Sequence, residues 1–175
     1  MIRNITLLFL SLFMYLESAA ADSRFVCPAG GYVQRVVLTY DGAQTPLTVY
    51  VKNSGDDSLR VVVDSPAGWL AKITLDSLGN EVSLKTSEFF PERLARKFIL
   101  RDIRAVLGYI GLLDDGVVKI STNNLGLVAT LCTDNYSAIF SEYCQDSISK
   151  GYYPRSIEIV ASSYKLNITT ASIKN

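Results

Sequence analysis

Chemistry in this chain has to be done without histidine, which is absent from all 175 residues. That excludes Ser-His-Asp and Cys-His nucleophile activation and most zinc sites. Cys27, Cys132 and Cys144 are too scattered for a Cys-x-x-Cys pair. Gly30-Gly31 lacks the spacing and the following Lys-Ser/Thr of a phosphate loop. Asp56-Asp57 and Asp114-Asp115 are adjacent acids in turn-like stretches, where solvated carboxylates are the ordinary outcome. A glycosidase working on carboxylates alone would also need a cleft, and nothing in the sequence locates one. No catalytic residue, metal site or cofactor is therefore expected, and a non-enzymatic binding protein is the better reading.

The N-terminus carries the firmest signal. Arg3 supplies a positive start, and Ile5 to Leu16 is apolar apart from Thr6, Ser11 and Tyr15. Ala19-Ala20-Ala21 then offers small residues where a signal peptidase reads, so cleavage is expected after Ala21. The apolar run is roughly a dozen residues, short of the ~20 that a spanning helix needs. Residues 1–21 thus read as an export signal and residues 22–175 as one domain. Arg24, Phe25 and Val26 before Cys27 make a poor lipidation site, so no lipid anchor is expected. An exported chain tolerates disulfides, but three cysteines leave at least one thiol over, and the spacing does not choose a pair. Lys plus Arg and Asp plus Glu both number 17, which argues against a nucleic-acid partner.

Period-two alternation dominates most of the mature chain. Val49 and Val51, then Leu59, Val61 and Val63, then Trp69, Ala71, Ile73 and Leu75 each fall on one face of a strand. Asp41-Gly42, residues 53–57, residues 65–68 and Gly79-Asn80 punctuate them as turns, giving an antiparallel meander. The period then changes. A helix is expected from about Pro91 to Tyr109, with Pro91 in its first turn and Gly111 at its stop. A second strand series covers roughly residues 117–121, 125–133, 137–143, 156–162 and 164–173.

Winding the helix at about 100° per residue gives a broad apolar arc through Ala95, Ile99, Ile103 and Val106. A second arc runs through Leu94, Phe98, Ala105 and Tyr109, and Arg93, Lys97, Arg101 and Arg104 collect on the remaining sector. So apolar a helix belongs against the apolar face of a curved sheet. Val49, Val51, Val61, Val63, Ile73 and Leu75 from the strands, with Leu94, Phe98 and Ile103 from the helix, are the candidate lining of a site for an apolar ligand. Periodicity alone favours the plainer outcome, a helix that fills the concavity as a dry core. The basic sector is expected mostly as a solvated face, with contact to anionic headgroups or an acidic partner as its functional reading.

Several short motifs follow one another in a familiar order. Ser65-Pro66-Ala67-Gly68-Trp69-Leu70-Ala71 resembles the small-Pro-x-Gly loop and next strand of the LolA/LolB superfamily. Phe90-Pro91-Glu92-Arg93-Leu94 with Ile99-Leu100-Arg101-Asp102-Ile103 resembles the helix of a lipoprotein-like envelope branch. Residues 153–159 and 164–168 resemble its closing hairpin. The resemblance implies a mainly β (α+β) fold, an antiparallel half-barrel with a helix plugging the concave face. It also implies a periplasmic setting and acylated or other hydrophobic cargo. Two departures stand out: there is no lipidation cysteine, and Ala67 occupies the loop position where the receptor branch projects a bulky apolar residue. Trp69, just beyond, is the candidate membrane or partner contact, together with Arg93, Lys97, Arg101 and Arg104; membrane contact is expected to be peripheral at most.

The function expected is a periplasmic carrier or receptor for an acyl chain, a lipoprotein or another apolar ligand. The alternative is an envelope adaptor with a closed core that binds other envelope proteins. Asp102 falls between the two apolar arcs and needs a buried partner. By the half-barrel analogy Arg155 is the nearest cation, so an Asp102–Arg155 structural pair is expected.

Overall fold

The computed structural model describes Phe25, Cys27 and residues 30–54, 57–113 and 119–172. The expected export signal, Asp56 and the Asp114-Asp115 pair lie outside the described residues. Strands β1 (Tyr32–Tyr40), β2 (Ala43–Asn53), β3 (Leu59–Ser65), β4 (Gly68–Leu75) and β5 (Glu81–Thr86) form one meander. Strands β6 (Lys119–Thr122), β7 (Val128–Thr133), β8 (Tyr136–Gln145), β9 (Tyr152–Ala161) and β10 (Lys165–Ser172) form a second. Antiparallel pairing of β1 with β10 joins them into a single ten-stranded open sheet, ordered β5-β4-β3-β2-β1-β10-β9-β8-β7-β6. This is the mainly β half-barrel expected, with a short helical segment on its inner side.

Local chemistry sets the strand registers. Asp41 and Gly42 both take positive φ (48° and 75°), and Tyr40 pairs with Ala43 across them. That two-residue turn matches the right-handed twist of the flanking strands and fixes which residues face inward. In the β3–β4 hairpin the register slips: Val63 pairs with Ala71, but Asp64 pairs with Trp69. Leu70 is the extra residue of this bulge, and the bulge re-aims the side chains around it. Trp69 therefore leaves the inward face that strict alternation gave it and stands partly exposed under the Lys72 ammonium, 4.6 Å from its ring centre.

The connection between the two meanders crosses the concave face from one sheet edge to the other. It contains α1 (Glu92–Leu94), a π-helical stretch (Ala95–Leu100), α2 (Arg101–Val106) and a 3-10 turn (Ile110–Leu112). Pro91 caps the start with extended backbone. The stop is Gly108, not Gly111. Gly108 has φ 80°, its N–H bonds to Ala105 O, and the Tyr109 N–H bonds to Arg104 O. That is a Schellman ending, which a glycine in the left-handed region makes possible. The π-helical stretch explains a second departure. Its turns are wider than the 3.6 residues of an α-helix, so a wheel drawn at ~100° per residue loses phase beyond it. Arg101 and Arg104, placed by that wheel on a solvated sector, are half-buried instead.

Candidate functional site

The helix does not fill the concavity. A cavity of about 550 Å³ remains between it and the sheet, within the ~300–1,000 Å³ usual for small-molecule sites. This overturns the closed core that periodicity favoured. The inward residues of β1 and β2 form its long wall: Gln34, Val36, Leu38 and Tyr40 from one, and Thr45, Leu47, Val49 and Val51 from the other. Val63 and Leu70 line one flank, Leu166 and Ile168 the other. The roof is the helix, through Leu94, Phe98, Ile99, Ile103, Val106 and Leu107. The exposed lining residues are Leu94 at the start of the helix and Tyr40, Thr45 and Ser163 at hairpin ends, which puts the mouth there. Tyr40 is 60 % exposed and Phe89, beside the mouth, 90 %.

Of the nine residues expected to line a ligand site, Val49, Val51, Val63, Leu94, Phe98 and Ile103 meet around this cavity. Val61, Ile73 and Leu75 do not line it; they are sealed in packed core on β3 and β4. Alternation found the inward face but could not tell its open part from its filled part. The walls from β1 and β10 were not anticipated, although Val36, Leu38, Leu166 and Ile168 carry the same alternating signal.

Asp102 is buried, and its partners differ from the one expected. Arg101 Nε and Nη2 both donate to its Oδ1 at 3.2 Å. Tyr164, at the β9–β10 turn, donates its hydroxyl to Oδ2 at 2.6 Å, and Arg101 also donates to that hydroxyl. The Arg101 guanidinium lies 4.8 Å from the Tyr136 ring centre, and Phe98 meets Tyr164 edge-on at 6.0 Å. Arg155 is exposed on β9, so the Asp102–Arg155 pair does not form. Burial and then the Asp102 carboxylate push the Tyr164 phenol well above its ordinary pKa, so it serves as a neutral donor. The network fixes one cavity wall, since both Asp102 and Tyr164 line it.

The basic sector is split. Arg93 and Lys97 are exposed near the mouth. Arg101 is drawn into the Asp102 network, and Arg104 Nε donates to Gly79 O at 3.2 Å. Neither is a free cation for headgroups, and Trp69 points outward on β4. Among the described residues, no cluster of three His, Cys, Asp or Glu side chains could hold a metal, and no helix is long and apolar enough to cross a membrane.

No protein-family model matches the sequence, and no curated protein is significantly similar to it. A similar solved structure is a domain from Vibrio parahaemolyticus named for outer-membrane lipoprotein sorting. It shares 8 % identity at a TM-score of 0.46, with 82 % of this chain and 84 % of that chain covered.

Proposed function

We propose that the protein is a non-enzymatic carrier or receptor of the cell envelope that holds an acyl chain, free or on a lipoprotein, in the half-barrel cavity. The observation that carries this reading is the unfilled space of about 550 Å³ walled by aliphatic side chains and open at one end. Burying apolar ligand surface there releases water at roughly 25 cal/mol per Å², and an elongated apolar ligand fits a channel between a long strand pair and a helix. The leader-like residues 1–21 support export to the periplasm. The exposed Phe89 and Leu94 at the mouth, with Arg93 and Lys97 beside them, suit transfer of a chain from an anionic surface.

A polarity-sensitive acyl probe titrated into the folded protein tests this. Saturable binding is expected, and Val49→Phe, which occupies the channel, should weaken it at least tenfold while the fold survives. A folded protein that binds no acyl probe would overturn the carrier reading in favour of an envelope adaptor.

A further inference from the structure

The cavity is apolar almost throughout, yet its buried end, away from Tyr40, carries an amide. Gln34 is 4 % exposed and lines the cavity six residues before Tyr40 on β1. At about 3.3 Å per residue it sits roughly 20 Å from the mouth. Its cross-strand partner on β2 is Val49, which lines the cavity as well. Thr170, its cross-strand partner on β10, is also 4 % exposed. Gln34 Nε2 donates to Thr170 Oγ1 at 3.2 Å.

A glutamine amide offers two donors and two acceptor lone pairs. Among the described residues only one of these is used, the bond to Thr170. That leaves a carbonyl oxygen and a second N–H available on a residue that lines the cavity. A leucine at this position would continue the aliphatic wall and avoid the cost of burying an amide. Two buried polar side chains paired at the buried end of a lipid-sized channel mark a position where the ligand itself supplies a hydrogen-bonding group.

We propose that Gln34, held by Thr170, is a specificity residue for cargo whose leading end is polar and uncharged: an elongated lipid with a hydroxyl or carbonyl at the end that enters first. The proposal rests on the carrier reading and narrows it from any acyl chain to one polar at both ends. The amide donates to a carbonyl or accepts from a hydroxyl, and a plain methyl terminus leaves it unpaired. A carboxylate at that end is disfavoured, since no cation reaches the cavity floor among the described lining residues.

The test compares hexadecanoic acid with 16-hydroxyhexadecanoic acid, by calorimetry or by displacement of a fluorescent acyl probe. Wild-type protein should bind the hydroxylated chain about tenfold more tightly, one buried hydrogen bond's worth of discrimination. Gln34→Leu should reverse the order by gaining affinity for the plain chain. Thr170→Val should fall between, and thermal unfolding of each variant confirms folding. Equal affinity of the wild type for both chains, or an unchanged ratio in folded Gln34→Leu, overturns the proposal and leaves the carrier reading standing. If folded wild-type protein binds neither chain, both readings fall.

Discussion

The two halves of the sheet follow the same inward alternation and end differently. Under β7, β8 and β9 the space is full: Leu131, Ala138, Ile157 and Ile159 are at most 1 % exposed. Under β1, β2 and β3 a channel remains. The difference lies in where rings are packed together. In the filled half Phe25 packs on Phe140 at 5.2 Å and Tyr143 at 5.9 Å, and Tyr32 at the start of β1 stacks with Tyr153 of β9 at 6.4 Å. The open half presents mostly valines and leucines from its strands, and the rings there, Tyr40, Phe90, Phe98 and Tyr164, line the channel without filling it. The helix serves both ends of this contrast: its last turn is clamped, with Arg104 on Gly79 O and Tyr109 against Gly79, while residues from Leu94 to Leu107 roof the channel. Whether a concave sheet becomes a core or a vessel is thus decided by side-chain volume after alternation has chosen the face.

The largest expected effect lies where the halves meet. Asp102→Ala leaves the Arg101 guanidinium, with a side chain only 13 % exposed, without this carboxylate and removes the acceptor of the Tyr164 hydroxyl. Removing one partner of a buried pair typically costs about 3–5 kcal/mol, read as a lower urea midpoint. A double-mutant cycle of Asp102→Ala with Tyr164→Phe should show coupling of about 1–3 kcal/mol. The same cycle with Arg155→Ala should be additive within about 0.5 kcal/mol. Coupling to Arg155 would mean that the helix sits elsewhere over the sheet.

Next in size is a pair of opposite substitutions. Leu131→Ala, in the filled half, should cost about 2–5 kcal/mol through the void it leaves and keep acyl-probe affinity within twofold. Val49→Phe, in the open half, should change stability by less than about 1 kcal/mol, because the ring enters existing space rather than overpacking a core, and abolish most probe binding. If both lose stability alike, the open half is packed in solution and the contrast disappears.

Much of this was legible in the residues. Alternation at Val49, Val51, Val61 and Val63 placed one face correctly, and the apolar surface of residues 94–107 called for burial. The burial of Asp102 was readable from its position between two apolar arcs. Its partner was not, because Tyr164 reaches it from 62 residues away through side-chain geometry. The Leu70 bulge and the π-helical stretch were invisible as well. Both insert a phase change that no single residue type announces, and each moved a supposed contact residue: Trp69 outward, Arg101 and Arg104 inward. The channel was beyond periodicity altogether, since period two reports direction and says nothing about how far a side chain extends.

The clamp at the end of the helix gives a smaller effect. Gly79 takes φ 85°, and a Cβ built on it would stand 2.4 Å from the Tyr109 ring. Gly79→Ala should therefore cost about 1–3 kcal/mol by strain and overpacking together. It should also speed hydrogen exchange at Leu107 and Tyr109 more than at Leu131. Equal effects at both sites would indicate general destabilisation rather than release of the clamp.

The smallest effect concerns alkaline pH and separates the halves by their titrating groups. Burial, and secondarily Asp146, pushes the Cys27 thiol from 9.0 up to about 11. Burial likewise holds the Tyr143 phenol above its ordinary 10.0. In the open half the comparable group is Tyr164, raised by burial and then by Asp102. A folded pKa above the unfolded one means that the unfolded chain loses its proton first. The stability tied to Cys27 is therefore intact below pH 9 and drains away as pH rises through about 11. Urea midpoints measured in half-unit steps from pH 8 to 11 should fall in the wild type from about pH 9 onward. Cys27→Ala should remove the first part of that fall and leave the later, tyrosine-driven part. Tyr164→Phe should do the opposite, flattening only the slope above pH 10. If the wild-type and Cys27→Ala profiles run parallel, the thiol is open to solvent and the packing around Phe25 and Cys27 does not seal that end of the barrel.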